Sequence, residues 1–233
     1  SRRQEEWYKI QFLHVVLNTK TIMQILIADR QGITRAGLMF LCHEAGYEYR
    51  YTDDKTELIE ALCADGDAIV ILDYTLFDIG DAAELHILNQ RFPQASWVLF
   101  SEDLSVDFVR MTAAGNNRFS VLLKESPLEE IREGLAEVAK GRRYICRRMT
   151  EMLLTPTQTT QEENRLTPTE TEILRDIALG LTTREIAEKR YSSFHTVNTH
   201  RKNIFRKLSV NNAHEATKLA LRAGLVDSAE YYI

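Results

Sequence analysis

The N-terminal half of the sequence contains the run Ala68-Ile69-Val70-Ile71-Leu72, which ends at the carboxylate of Asp73. Five consecutive apolar residues, most of them β-branched, are typical of a strand that is buried on both faces of a parallel sheet. Ligands of open α/β sheets bind at the carboxyl ends of the strands. The position of Asp73, directly after this run, therefore makes it a candidate site residue.

Segments on either side of this run predict four more strands, over 22–28, 47–51, 96–100 and 120–123. Apolar residues recur at helical spacing between the strands, over 32–45, 54–64, 81–91, 104–114 and 127–140. For the last of these helices, the sequence Ser126-Pro127-Leu128-Glu129 predicts a capping box with Pro127 as the first helical residue. The alternation of strands and helices predicts a doubly wound α/β domain with a parallel five-stranded sheet.

The C-terminal part of the sequence has a different, purely helical pattern. The threonine-rich segment 155–163 predicts a linker. Beyond it, two capping boxes and two terminal glycines predict four short helices near 168–179, 183–190, 194–208 and 212–223. We therefore divide the chain into an N-terminal extension (1–22), an α/β domain (23–145), a linker (146–164) and a separate all-α four-helix domain (165–233).

Composition and charge restrict the possible functions. No apolar run is long enough to span a membrane. The three cysteines are widely spaced, which favours reduced thiols in a cytoplasmic protein. Residues 23–150 carry 14 Lys/Arg and 21 Asp/Glu, whereas residues 151–233 carry 11 of each. Within the second part, the segment 189–207 has six basic residues and no acidic one, and this asymmetry suggests separate functions for the two parts.

Polar side chains end four of the predicted strands, namely Asp29, Asp73, Ser101 and Lys124. The fold would gather them at one edge of the sheet, where their chemistry fits phosphoryl acceptance. Asp73 is the candidate nucleophile. Asp29, Asp73 and the backbone carbonyl of Thr75 are candidate oxygen ligands of Mg²⁺. The Ser101 hydroxyl and the Lys124 ammonium are suited to contact phosphoryl oxygens.

Residues 23–140 resemble the receiver domain of two-component response regulators. The segments Ile25-Leu26-Ile27-Ala28-Asp29 and Arg35-Ala36-Gly37-Leu38 are similar to the start of the NarL/FixJ subfamily in particular. The resemblance implies that Asp73 is the phosphoacceptor, with a sensor histidine kinase as the phosphodonor and Mg²⁺ as the cofactor.

Three positions depart from the receiver pattern. Arg30 stands where the family has a second acidic residue that binds Mg²⁺, Val121 replaces an aromatic residue, and Phe77 replaces a proline. A cation at position 30 would repel Mg²⁺ and could pair with Asp73, which would make the receiver atypical. Alternatively, Arg30 points to solvent, and Asp29 and Asp73 suffice to bind the metal.

The C-terminal domain contains a helix with two different faces. At 100° per residue, Val197, Ile204 and Leu208 lie on one side of the predicted helix 194–208. The opposite side carries polar and basic residues, among them Lys202 and Arg206. An apolar face that packs on the domain leaves the polar face free for the major groove of DNA.

The same region resembles the LuxR-type DNA-binding domain over its full length. The motifs are Leu166-Thr167-Pro168-x-Glu170, Gly180-Leu181-Thr182-Thr183-x-Glu185-Ile186-Ala187, Thr196-Val197-Asn198-Thr199-His200 and Ile204-Phe205-Arg206-Lys207-Leu208. The resemblance implies a helix-turn-helix that binds double-stranded DNA as a homodimer through its last helix. It implies base contacts from Asn198, Thr199 and Lys202, and contacts to phosphate or a role in the fold for Thr183, Thr196, Arg201 and Arg206.

The sequence therefore predicts a cytoplasmic DNA-binding transcription regulator of the two-component type, and not an enzyme with a diffusible product. One alternative is a regulator that binds DNA without phosphorylation. A second is a protein-interaction adaptor with a vestigial helix-turn-helix, which salt-sensitive operator binding would exclude. A small-molecule-sensing regulator is disfavoured, because only a receiver explains Asp73, Ser101 and Lys124 together.

Overall fold

A computed structural model of the protein describes residues 24–113, 118–155 and 165–226. The N-terminal half contains five strands: β1 (Gln24–Ala28), β2 (Glu48–Tyr51), β3 (Ile69–Leu72), β4 (Ser96–Ser101) and β5 (Phe119–Leu123). They form one parallel sheet in the order β2-β1-β3-β4-β5. Five helices connect and follow them: α1 (Gly32–Glu44), α2 (Lys55–Ala64), α3 (Ala82–Arg91), α4 (Val106–Ala113) and α5 (Leu128–Ala139). This confirms the predicted doubly wound fold.

The strand register places the carboxyl ends of the central strands side by side. Ala28, the last residue of β1, pairs with Leu72, the last residue of β3. Leu72 in turn pairs with Leu99 of β4, and Ser101 of β4 pairs with Leu123 of β5. Every residue of β3 and β5 is buried, as expected for strands covered by helices on both faces. The residues that follow these strands therefore meet at one edge of a rigid sheet.

A sixth segment extends the N-terminal domain beyond the predicted boundary. The backbone N–H of Val121 in β5 donates to the carbonyl of Tyr144 at 2.8 Å, and that of Cys146 donates to the Val121 carbonyl at 2.9 Å. Helix α6 (Arg147–Leu154) follows, and Cys146 and Met149 are buried in the sheet's core. The sequence predicts a linker from residue 146, because this short segment adjoins the threonine-rich stretch, although Met149, Met152 and Leu153 recur at helical spacing.

The capping box predicted at the start of α5 is wrong. Pro127 is the N-cap, with an extended ψ of 146°, and the helix begins at Leu128. Ser126 therefore lies one residue too early for its hydroxyl to reach the free N–H groups of the first turn, and no side chain caps this helix.

The C-terminal half contains four helices: α7 (Pro168–Ala178), α8 (Thr183–Lys189), α9 (Phe194–Leu208) and α10 (Ala213–Arg222). The capping boxes predicted at Thr167 and Thr182 are both present, and each pairs its hydroxyl with the N–H of a glutamate three residues later. The helices enclose a small second core around Ile173, Ile186 and Ile204. This part is the predicted all-α domain.

Within the described ranges, the helices are too short or too polar to cross a membrane. The extension predicted over 1–22 and the linker residues 156–164 lie outside the described residues.

Gly134 provides a test of the packing between α5 and β5. A Cβ at this position would lie 2.9 Å from a methyl carbon of Leu122 and 3.0 Å from the ring of Tyr144. Because Leu122 is fully buried, we expect Gly134→Ala to lower the free energy of unfolding by about 1 kcal/mol despite the better helix propensity of alanine. Urea unfolding followed by tryptophan fluorescence measures this change.

Gly37→Ala in α1 is the matched control, since a Cβ there meets no atom within 4 Å. We expect this variant to gain up to about 1 kcal/mol from helix propensity. Equal effects of the two substitutions would contradict the close packing of α5 on β5.

Candidate functional site

The four polar residues predicted to meet at the sheet edge do meet there. Lys124 lies at the centre, with its Nζ 2.7 Å from Asp29 Oδ2 and 2.6 Å from Asp73 Oδ2. Both carboxylates are buried, and the lysine side chain is only 10% exposed. The backbone holds Lys124 in place, because its N–H donates to the carbonyl of Ser101 at 3.0 Å.

The remaining oxygen of Asp73 is held by Thr75. The backbone N–H and the hydroxyl of Thr75 both donate to Asp73 Oδ1, at 3.1 and 2.7 Å. Ser101 is buried, and its hydroxyl has no hydrogen-bond partner among the described residues. Because β4, which Ser101 ends, pairs with β3, this buried hydroxyl lies at the same sheet edge as Asp73, where an oxygen-rich ligand would supply its missing partner.

Arg30 lies away from the carboxylates. It is exposed, and its Nε donates to the backbone carbonyl of Asp53 at 3.3 Å. Asp73 pairs instead with Lys124. Of the two alternatives for Arg30, the structure therefore favours the one in which its side chain points outward.

Gln31 belongs to the site, although the sequence analysis missed it. Its backbone N–H donates to Asp29 Oδ1 at 2.7 Å, and its Oε1 accepts from Lys124 Nζ at 2.9 Å. Its place two residues after the end of a strand was the available signal, but a glutamine there suggests no particular chemistry.

The oxygen donors at this edge fit a hard cation such as Mg²⁺. Asp29 and Asp73 present buried carboxylates from adjacent strands, and the chain passes close by at Thr75. Within the described residues, no group of three or more acidic, histidine or cysteine side chains gathers at one point. Any cation here would therefore rely on two carboxylates, backbone carbonyl groups and water.

Helix α9 has the two faces that the sequence predicts. Val197 and Ile204 are buried against the other helices, and Ser193 caps the helix by accepting from the N–H of Thr196 at 3.0 Å. The seven predicted DNA contacts are exposed or half-buried: Thr183, Thr196, Asn198, Thr199, Arg201, Lys202 and Arg206. Two of their hydroxyls have local partners, since Thr196 bonds to Ser193 and Thr199 donates to the carbonyl of His195.

Arg201 stands apart from the other basic residues of α9. Its guanidinium lies over the ring of Phe205, 5.5 Å from the ring centroid, which is a cation–π contact. Burial lowers the pKa of this guanidinium from its ordinary value. A partly desolvated cation on the predicted recognition helix is suited to pair with a phosphate oxygen.

A buried ion-pair cluster ties α7 to the end of α8. Asp176 is fully buried, and its two oxygens accept from Lys189 Nζ at 2.7 Å and from Arg190 Nε at 2.5 Å. Burial alone would raise the pKa of Asp176, but the hydrogen bonds from Arg190 and Lys189 outweigh it and hold the pKa below its usual range. Both cations belong to the basic segment 189–207, but in the structure they neutralise the buried carboxylate of Asp176.

The two halves of the chain contact each other at the site edge of the sheet. The hydroxyl of Tyr74, next to Asp73, donates to Glu215 Oε1 of α10 at 2.6 Å. Lys202 of α9 pairs with Glu102, next to Ser101, at 2.8 Å. Further contacts join Asn211 to Ser105, Asn212 to Gly80 and Lys218 to Asp81. No local sequence pattern predicts these contacts, because each joins positions at least a hundred residues apart.

The Asp176 cluster generates a pH prediction. A carboxyl whose pKa is lower in the folded state stabilises the fold above its unfolded pKa of about 3.9, and this contribution is lost as the pH falls through the folded pKa. We expect Asp176→Asn to lower the opening free energy of the C-terminal domain at neutral pH by about 2 kcal/mol, less than for a fully buried pair because both cations reach water.

Hydrogen exchange of the amides in α7 and α8 measures this effect at neutral and acidic pH. Amides in the wild-type protein should lose protection on acidification. In Asp176→Asn, the protection that depends on the ionised carboxylate should be absent at neutral pH already, so acidification should have a smaller effect. Glu188→Gln, which changes an exposed acid on α8, should behave like the wild type. If Asp176→Asn kept the acid sensitivity of the wild type, the cluster would not be its origin.

Comparisons with known proteins find relatives of both halves of the chain. Residues 164–220 match the family of bacterial regulatory proteins called luxR. YvfU of Bacillus subtilis, an uncharacterized transcriptional regulatory protein, is 32% identical over 119 residues, which cover 51% of this chain and 56% of that protein. The nitrate/nitrite response regulator NarP of Escherichia coli is 27% identical over 208 residues, which cover 87% of this chain and 96% of NarP.

The solved structures support the fold. The RcsB response regulator of Salmonella typhimurium superposes with a TM-score of 0.51 at 23% identity, over 84% of this chain and 97% of that one. The luxR-family match in the C-terminal half, the relatives that align across both halves and the site at the sheet edge agree on one assignment. The chain is a response regulator of the NarL/FixJ type with a C-terminal DNA-binding domain of the LuxR family.

Proposed function

We propose that this transcription regulator accepts a phosphoryl group on Asp73 and reads double-stranded DNA with α9. The observation that carries the first part is the buried triad of Asp29, Asp73 and Lys124 beside the unpaired hydroxyl of Ser101.

In the proposed transfer, a carboxylate oxygen of Asp73 attacks the phosphorus of a phosphodonor. The donor is a phosphohistidine of a sensor kinase or a small acyl phosphate. A bond forms between the Asp73 oxygen and phosphorus, and the bond from phosphorus to the donor atom breaks with its electron pair on the donor. The product is an acyl phosphate on Asp73.

The surrounding residues have separate roles in this step. Lys124, already 2.6 Å from Asp73, contacts a phosphoryl oxygen, and the Ser101 hydroxyl donates to another. Asp29, Asp73 and the carbonyl of Thr75 would hold Mg²⁺, which when bound neutralises the charge of the phosphoryl oxygens. The outward direction of Arg30 supports this use of the site.

The DNA-binding face of α9 uses the residues that the sequence analysis selected. Asn198, Thr199 and Lys202 read base edges in the major groove. Thr183, Thr196, Arg201 and Arg206 contact phosphates or support the fold. One such helix reads few bases, so two copies on paired half-sites provide the necessary specificity. A solved structure of a relative contains two RcsB dimers bound to DNA.

The contact between the halves suggests how phosphorylation acts. In the conformation described here, Lys202 forms an ion pair with Glu102, and the start of α10 is hydrogen-bonded to the receiver domain. DNA binding requires Lys202 to leave Glu102, and dimerisation requires α10 to be free. Phosphorylation next to Tyr74 and Glu102 then shifts the population from this closed form toward a DNA-competent form.

A specific observation keeps the phosphorylation-independent alternative in view. The Lys124 ammonium already bridges both carboxylates, so the site has a cation without any metal. In that alternative, the receiver stays in one state, and DNA binding is controlled by a partner protein or by the protein's abundance.

Labelling with acetyl phosphate distinguishes these possibilities. We expect purified protein with Mg²⁺ to gain one phosphoryl group, detected by intact mass, and Asp73→Asn to gain none. Asp53→Asn changes an exposed carboxylate outside the site and should label like the wild type. A protein that binds an operator fragment without acquiring an adduct would support the phosphorylation-independent alternative.

The closed form predicts that Glu102 restrains DNA binding. We expect Glu102→Ala to raise the affinity of the unphosphorylated protein for DNA by about fivefold at most, as for an exposed ion pair. Glu125→Ala is the matched control, because Glu125 also follows a site residue directly and pairs with Arg148 outside the C-terminal domain. Fluorescence anisotropy on a labelled duplex measures both. Equal affinities of the two variants would contradict the restraint.

A further inference from the structure

Two large aromatic side chains are exposed around the start of α9: Tyr191 lies in the turn before the helix, and Phe194 is the first residue of the helix. Tyr191 is 99% exposed and Phe194 is 59% exposed. Among the described residues of the C-terminal half, they are the only large apolar side chains with this degree of exposure. Single exposed apolar residues are ordinary, but Phe194 begins the helix that is proposed to enter DNA, and Tyr191 lies three residues before it.

The backbone keeps this turn in a defined shape. Tyr191 adopts a left-handed conformation with φ of 49°, and the next residue, Ser192, donates its N–H to the carbonyl of Ala187 at 2.9 Å. Ser193 then caps α9, and Phe194 is the first residue of the helix. Phe194 is therefore fixed at the helix N-terminus by the cap that precedes it.

Phe194 continues the predicted base-reading row of α9. Phe194, Asn198 and Lys202 are spaced four residues apart, so they lie along one row of the helix surface. In helix-turn-helix proteins, the N-terminal residues of this helix contact base edges in the major groove. A phenylalanine has no hydrogen-bonding group for that purpose. Among the groups that base edges present in the major groove, the thymine methyl is the apolar one.

We infer that Phe194 is a specificity residue that packs on the 5-methyl group of a thymine in the operator. Charge favours DNA over a protein as the partner of this surface, since α9 exposes Lys202 and Arg206 and contains no acidic residue. The inference rests on the proposed DNA-binding function and adds one base to its readout: each half-site contains a thymine, next to the bases read by Asn198.

The test uses full-length protein and deoxyuridine, which differs from thymidine only by the missing methyl group. A duplex library with a randomised core is first selected on the wild-type protein in the presence of acetyl phosphate and Mg²⁺. The most enriched duplex is then synthesised with deoxyuridine in place of one thymidine at a time, and the affinity of each duplex is measured.

We expect one position per half-site at which deoxyuridine weakens wild-type binding by about fourfold, the effect of one buried methyl group. Phe194→Ala should bind the thymidine duplex correspondingly more weakly and should show no further loss with deoxyuridine. Tyr191→Ala removes the other exposed aromatic, which lies before the row, and should keep the fourfold effect. Phe194→Leu should keep part of it.

The inference is overturned if the wild type tolerates deoxyuridine at every position, or if Phe194→Ala retains the wild-type penalty. Both results leave the proposed function intact, because the selected duplex is still bound. If the wild type enriches no duplex and shows no salt-sensitive binding, the proposed DNA-binding function itself fails, and the inference fails with it.

Discussion

The Lys124 ammonium between two buried carboxylates is the interaction on which the N-terminal domain depends. Removing the ammonium would leave Asp29 and Asp73 as uncompensated charges in a place that water hardly reaches. The same charge acts beyond the site. A hydrogen bond from Lys202 lowers the pKa of Glu102, and the charge of Lys124 contributes in the same direction. The electrostatics of the site at the sheet edge therefore extend to the contact with the C-terminal domain.

Most of the architecture was predictable because each local pattern has a single good solution. Apolar runs that end in Asp29, Asp73 and Ser101 fit buried parallel strands, and the threonine capping boxes predict the starts of α7 and α8. What failed depends on long-range geometry. Whether Arg30 faces Asp73 or Asp53 is decided by a loop conformation that no periodicity encodes. Likewise, the contacts of Asp176 with Lys189 and Arg190 form only when folding brings α7 against the end of α8.

The contact between the halves makes single side chains serve two purposes. Lys202 is both the partner of Glu102 and a member of the proposed base-reading row, and one ammonium cannot occupy both places. Tyr74 stacks on Phe108 of α4 with ring centroids 4.2 Å apart and donates to Glu215 at the start of α10. Tyr74 therefore follows Asp73 directly in the chain and also hydrogen-bonds to the C-terminal domain. A change at Asp73 has only one residue to cross before it reaches α10.

The segment that runs beside β5 has a consequence for how copies of this protein meet. A parallel sheet has two edges whose free backbone groups invite another strand. Here the chain occupies one edge itself through Tyr144 and Cys146, and the other edge, β2, exposes the charged side chains of Glu48 and Arg50. Sheet-to-sheet pairing between copies is therefore disfavoured on both sides. Helical surfaces are left as the places where two copies can associate without risk of open-ended aggregation.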